Sequence, residues 1–439
     1  MNSVLVRALA ILLVSTLMPL KIFSQNEPTA RHIIICVDGV GLSTISKMRG
    51  NGHFKIFHPP SHMISTFPSL TNAALSKILE PAGATMTGGY EDNFFDTKAN
   101  RMRGGILDRF RSDRFVRGTF RELFDYHPSA LKSGLGYTAP PVSTYIESLS
   151  DLIRLRQKAR NSRGAVFFAY TGATDSLAHV GGETLLRSFL EELDDTVEDI
   201  VRDSKTPVTV TIFSDHGNDF RKYRRVALKD PLRRAGFKLG KKIKNDRSVV
   251  LPQFGLVGSA VLFTRDRNEE RLAEVLADLE GVDFVTYEQD GVVHIASRKG
   301  EATIERRGDE YRYLAIQGDP LELLSFTNHQ QNGADGFIKD EEWFALTRAG
   351  ARPDVVRRVF EGATQGVLNR ANVIVNLEDG YYTGSSLLDT FTLLQATHGN
   401  IGQEQSYGFV MTTTRELPPY IRAADLWEAL GSAPLRRRR

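Results

Sequence analysis

Six side chains of types that bind metal ions recur at the ends of apolar runs along the 439-residue chain. Ile33-Ile34-Ile35-Cys36-Val37 runs into Asp38 and Gly39. Residues 165–170 lead through Thr171-Gly172-Ala173-Thr174 to Asp175, with His179 four positions on. Residues 208–213 lead through Ser214 to Asp215-His216-Gly217-Asn218, and residues 391–396 lead to Thr397-His398-Gly399-Asn400. An aspartate after a strand is often only a helix cap, and an isolated histidine is most often a core or surface residue. Four such clusters at the ends of comparable runs carry more weight than any one of them. Three carboxylates and three imidazoles suit zinc, or two zinc-like ions, better than the all-oxygen sites of magnesium or calcium. A hydroxyl nucleophile for such a centre is available in Ser65-Thr66-Phe67-Pro68-Ser69-Leu70-Thr71-Asn72, where a base or metal ion could lower its pKa. Thr66 or Ser69 could equally cap a helix over residues 70–79.

The elements that must position these groups alternate in type. The continuous apolar runs read as strands buried on both faces of a parallel sheet. Between the second and third, residues 183–203 place Leu186, Phe189, Leu190, Leu193 and Val197 at helical spacing. Runs at 259–264 and 372–377 add a fourth and a fifth strand. The pattern predicts an α/β, doubly wound, mostly parallel sheet flanked by helices, whose ligands bind in the crevice beyond the carboxyl ends of the strands. Residues 265–344 differ in texture, with a helix near 270–279 and short strand-like pieces punctuated by Gly291, Gly300 and Gly308. They read as a small αβ cap subdomain inserted into a catalytic domain of residues 25–264 and 345–435.

With its motifs in order, the chain resembles the alkaline phosphatase superfamily, and most closely its nucleotide pyrophosphatase/phosphodiesterase branch. The resemblance runs through Asp38-Gly39, Thr66-Phe67-Pro68, Asp175-x-x-x-His179, Asp215-His216-Gly217 and Thr397-His398-Gly399. It implies one zinc held by Asp175, His179 and His398, and a second held by Asp38, Asp215, His216 and the Thr66 oxygen. It further implies Thr66 as nucleophile, a covalent phospho-threonine intermediate and net retention at phosphorus. An asparagine that binds a phosphoryl oxygen is matched best by Asn93, with Asn72 or Asn100 as substitutes. The implied substrate is a small-molecule phosphoester, a diester by the Thr-Phe-Pro motif. Lys98, Arg101, Arg103 or Lys132 would serve a monoester's extra charge. Tyr90, Phe94, Phe95 and Tyr170 are available either to a leaving-group pocket or to the core.

Composition excludes other classes. The chain is 41% hydrophobic and 25% charged, as expected of a globular protein. A single cysteine, Cys36, rules out a disulfide framework and a Cys-based metal site. The formal charge of +3 is too small to imply a nucleic-acid polymer as partner. It falls to −3 once Arg7, Lys21 and the tail Arg436–Arg439 are set aside. Residues 1–24 read as a signal peptide, with Arg7 before an apolar run too short to span a bilayer, so periplasmic or secreted localisation is expected and no membrane span in the mature chain. There is no C-x-P-x-R sulfatase motif, no G-x-x-x-x-G-K-[ST] and no H-E-x-x-H. A metal-binding envelope scaffold without activity is the reading from a different class.

Overall fold

The computed structural model describes residues 30–104, 108, 116–128, 141–253, 255–265, 267–327, 335–391 and 393–431. The expected signal peptide, Lys132 and the arginine tail lie outside them. A six-stranded sheet runs in the order Tyr420–Arg422, Ser61–Ile64, Tyr407–Thr412, Val208–Phe213, Arg31–Val37, Val166–Thr171. Only Tyr407–Thr412 is antiparallel to its neighbours; the other pairings are parallel. The architecture is therefore the mixed, mostly parallel α/β sheet that the sequence pattern predicts.

Side chains alternate across the strands, which is why the runs are apolar without a break. On one face Ile33, Ile35, Phe167, Ala169, Val210 and Ile212 pack with Leu186, Phe189, Leu190 and Leu193 of the helix Ala173–Arg202. On the other, Ile34, Cys36, Phe168, Tyr170 and Phe213 pack with Leu75, Ile78 and Leu79 of the helix Thr71–Leu79. Helices on both faces leave the strand ends as the edge at which loops converge.

A second, seven-stranded sheet is antiparallel throughout, in the order Ser259–Leu262, Val373–Leu377, Val282–Gln289, Val292–Ser297, Gly300–Arg307, Glu310–Gly318, Ile338–Lys339. This corrects the expectation that the runs at 259–264 and 372–377 belong to the main sheet. Both are buried on their two faces, between the helix Glu269–Ala277 on one side and the helix Val355–Thr364 on the other. An apolar run records that burial and not the sheet that provides it. Among the described residues no helix is long and apolar enough to cross a membrane.

Candidate metal centre

Asp38 is the first residue beyond Arg31–Val37, and its amide donates to Thr171 O of the adjacent strand (3.0 Å) while its carbonyl accepts from Thr174 Oγ1 (2.5 Å). The next residue must be glycine. Gly39 has φ +63°, its amide donates to Asp215 Oδ1 (3.2 Å), and a Cβ there would lie 2.5 Å from Asp175 Oδ1 and 2.7 Å from Asn218 Nδ2. The backbone turn is what lets three aspartates approach one another. Asp175 and His179 occupy the first turns of the helix Ala173–Arg202, four residues apart on one face, with His179 Nε2 3.4 Å from Asp175 Oδ1.

Asp215 and His216 follow Val208–Phe213 and are fully buried. His216 Nδ1 lies 3.0 Å from Gly217 O, so a proton there leaves Nε2 directed at Asp38 Oδ1 (3.4 Å) and Asp215 Oδ2 (3.6 Å). His398 is fixed in the same manner: Nδ1 is 2.8 Å from Ser69 O, and Nε2 faces Asp175 Oδ1 at 3.7 Å. The segment before it is not a strand, contrary to expectation. It follows the short helix Ser386–Phe391, and Gly258 N, donating to His398 O, and Thr397 Oγ1, donating to Leu256 O, hold it in place. The His216 and His398 rings stack with centroids 4.0 Å apart.

Two groups of ligand atoms result, each within 4.8 Å of one another: Asp38, Asp215 and His216, and Asp175, His216 and His398. Asp215 Oδ2 is buried and no hydrogen bond reaches it among the described residues. The electrostatics follow from burial and like charge. Burial together with the Asp38 carboxylate pushes Asp215 up to about 8, against the pull of His216. His216 is raised to about 10 because Asp215 and Asp38 outweigh its burial. Burial and the neighbouring His216 depress His398 to about 3. Burial works against ionisation of Asp175 too, yet His179 and His398 hold it well below the usual carboxylate range. Buried carboxylates and imidazoles in this mixture, one oxygen without a donor, fit divalent metal ions.

No protein-family model matches the chain, and no curated protein does either. Solved structures do match. Phosphonoacetate hydrolase from Sinorhizobium meliloti in complex with phosphonoformate superposes with a TM-score of 0.52 at 13% identity, over 93% of this chain and 96% of that one. Human ectonucleotide pyrophosphatase/phosphodiesterase 5 gives 0.52 at 10% identity, over 91% and 93%. The murine protein, in an inactive threonine-to-alanine variant in complex with AMP, gives 0.50 at 11%, over 93% and 96%. The fold is alkaline-phosphatase-like.

Within this alkaline-phosphatase-like fold the threonine of the 65–72 segment whose hydroxyl lies beside the cluster is Thr71. Its Oγ1 lies 3.1 Å from Asp38 Oδ1 and 3.1 Å from His216 Nε2. Thr66 Oγ1 instead turns back to Pro68 O in its own loop (3.2 Å), and its carbonyl accepts from Arg358 (2.9 Å). The helix begins at Thr71 after Leu70, with no side-chain cap, so neither Thr66 nor Ser69 caps it. The sequence signal for Thr71 was its place three residues after Pro68, at the first helical position, where the helix dipole favours a developing negative charge.

The remaining expectations divide. Asn93 is half-buried on the hairpin Asn93–Asp96/Arg101–Gly104. Asn72 donates to Asp92 Oδ1 (3.0 Å), where Arg117 also binds (2.7 Å), tying that hairpin to the helix of Thr71. Asn100 exchanges hydrogen bonds with the Ile243 backbone. Both substitutes for Asn93 are thus engaged elsewhere. Tyr90, Phe94 and Phe95 are buried; Tyr90 OH donates to Gly362 O, and Tyr90 also lines a cavity with Leu70, Glu91, Val257 and Thr383. Tyr170 is buried as well, but its hydroxyl reaches Asp38 Oδ2 at 2.5 Å. Asn218, missed as a functional residue, bridges Gly39 O (2.7 Å) and Asp175 Oδ1 (3.1 Å). Its place in the run after Asp215 was the available signal.

Proposed function

We propose that the chain is an exported phosphoester hydrolase of the nucleotide pyrophosphatase/phosphodiesterase type, in the alkaline phosphatase superfamily, with Thr71 as its nucleophile. One observation carries the reading: a threonine hydroxyl at a helix N-terminus lies within hydrogen-bond distance of both a carboxylate and an imidazole of a buried ligand cluster. The likeness in fold to a phosphonoacetate hydrolase and to ectonucleotide pyrophosphatase/phosphodiesterases supports the same class. Thr71 takes the place given to Thr66 by motif.

Asp38, Asp215 and His216 would hold one zinc ion, and Asp175, His179 and His398 the other. When bound, such ions neutralise the charge of the phosphoryl group and lower the pKa of attached oxygen ligands. The chain supplies the rest. Thr71 releases its proton to water and attacks phosphorus; the bond to the leaving oxygen breaks, that oxygen takes a proton from water, and a phospho-threonine remains. Water then displaces the threonine oxygen, which recovers its proton. Two in-line displacements leave the configuration at phosphorus retained. The backbone N–H groups at the start of the helix Thr71–Leu79 stabilise negative charge on the threonine oxygen, and Asn93 serves as the phosphoryl-oxygen donor.

The test compares bis-p-nitrophenyl phosphate with p-nitrophenyl phosphate as substrates of the zinc-loaded protein. Preference for the diester is expected. A strong preference for the monoester overturns the diesterase assignment, and no turnover of either, with fewer than two bound ions per chain, favours the envelope scaffold.

A further inference from the structure

The register of the strands Arg31–Val37 and Val166–Thr171 pairs Cys36 with Tyr170 and Val37 with Thr171. Side chains two apart on a strand share a face, so Asp38 continues the face of Ile34 and Cys36, the face to which Tyr170 also contributes. Tyr170 therefore leans along the sheet toward Asp38, and its hydroxyl donates to Asp38 Oδ2 at 2.5 Å. The other carboxylate oxygen, Oδ1, faces Thr71 Oγ1 (3.1 Å) and His216 Nε2 (3.4 Å). The two oxygens of one aspartate are thus divided, one to a buried phenol and one to the cluster. The phenol has a prepared place. Its ring packs against Phe124 with centroids 5.3 Å apart. A Cβ on Gly172 would lie 3.0 Å from the Tyr170 hydroxyl, although Gly172 has an ordinary φ of −87°. That position is glycine for the room it gives the hydroxyl, not for its backbone.

We propose that Tyr170 is a positioning residue: its hydroxyl holds Asp38 Oδ2 so that Oδ1 alone is presented to the cation shared with Asp215 and His216. The proposal rests on the metal-dependent reading above. Without the phenol, the Asp38 carboxyl is free to rotate about its Cβ–Cγ bond, and one buried oxygen loses its donor. Partners of this kind, one step behind a ligand, typically contribute about 10- to 100-fold in metal affinity. The effect is confined to one of the two ions, because Asp175 and His398 orient through Asn218 and Ser69 instead.

The experiment titrates zinc, against a competing chromophoric chelator, into metal-free wild type, Tyr170→Phe, Asp38→Asn and the double variant, with melting temperatures measured alongside. Wild type is expected to bind two ions. Tyr170→Phe is expected to keep the metal-free melting temperature and one ion at wild-type affinity, and to bind the other about 10- to 100-fold more weakly. Adding Tyr170→Phe to Asp38→Asn is expected to change nothing further, since the tyrosine acts through that aspartate. Wild-type affinity for both ions in Tyr170→Phe, equal weakening of both, a further loss in the double variant, or a Tyr170→Phe protein that does not fold each overturns the proposal and leaves the functional reading standing. A wild type that binds no divalent ion overturns both.

Discussion

The hydroxyl of Thr71 donates to Asp38 Oδ1 across 3.1 Å, joining the first residue of one helix to the residue just beyond the strand Arg31–Val37. The two are 33 positions apart in the chain and belong to different layers of the fold. Their meeting separates one threonine from the several hydroxyls of the 65–72 segment.

Thr71→Ala is therefore expected to reduce turnover by at least about a thousandfold, the scale on which removal of a nucleophile acts. It should leave zinc content intact. Thr66→Ala should keep activity within about threefold, because its hydroxyl bonds only inside its own loop. Steady-state kinetics on both variants decides the matter; the reverse ranking would return the role to Thr66.

Gly39→Ala is expected to disrupt the centre rather than the sheet. A side chain there meets Asp175 Oδ1 at 2.5 Å and must adopt φ +63°, at a cost of about 1–3 kcal/mol. Urea denaturation should register that loss, and metal analysis should find fewer than two ions per chain.

In the metal-free protein, stability should fall as pH rises from neutral toward 10. Asp215, raised to about 8, and His216, raised to about 10, each keep a proton in the folded state that the unfolded chain has released. Their stabilisation is complete below the unfolded pKa and lost as pH climbs through the folded one. Saturating zinc replaces those protons and should flatten the slope. Melting temperatures recorded from pH 7 to 10 with and without zinc test this, and identical slopes would count against a shared site.

Arg358 is buried, its pKa depressed by that burial to about 10, and its Nη2 reaches Thr66 O, Ser69 Oγ and Ser406 Oγ. Ser69 in turn accepts from His398 Nδ1. Nη1 of the same guanidinium donates to Pro353 O (2.8 Å), and lysine, with one ammonium nitrogen, cannot serve that carbonyl and these acceptors together. Arg358→Lys is expected to lose about 1–3 kcal/mol of stability, the cost of buried groups left unmatched. A variant as stable as wild type in urea titration would show the clasp to be dispensable.

Much of the centre was legible along the chain. Asp38, Asp175, Asp215 and His216 each follow a run whose unbroken apolar character records burial on both faces of a sheet, and His179 follows Asp175 at one helical turn. Those are local properties: periodicity gives the element, and the element gives the direction of the next side chain. Neither the sheet that receives a buried strand nor the partner of a hydroxyl is local. Residues 259–264 and 372–377 read like the central strands and pair in the second sheet, because the same two-sided burial is available there. Thr66 carried the motif, yet the loop held by Arg358 turns its hydroxyl inward and leaves Thr71 at the helix start. Tyr170, read as pocket or core, is in the core, and its hydroxyl also bonds Asp38, since only strand register decides which neighbour a buried phenol meets. The sequence by itself singled out the candidate carboxylates and imidazoles, the α/β class and the edge at which they gather. The tertiary structure alone decided which hydroxyl joins them and which oxygens face inward, because those depend on distances between segments that no spacing along the chain specifies.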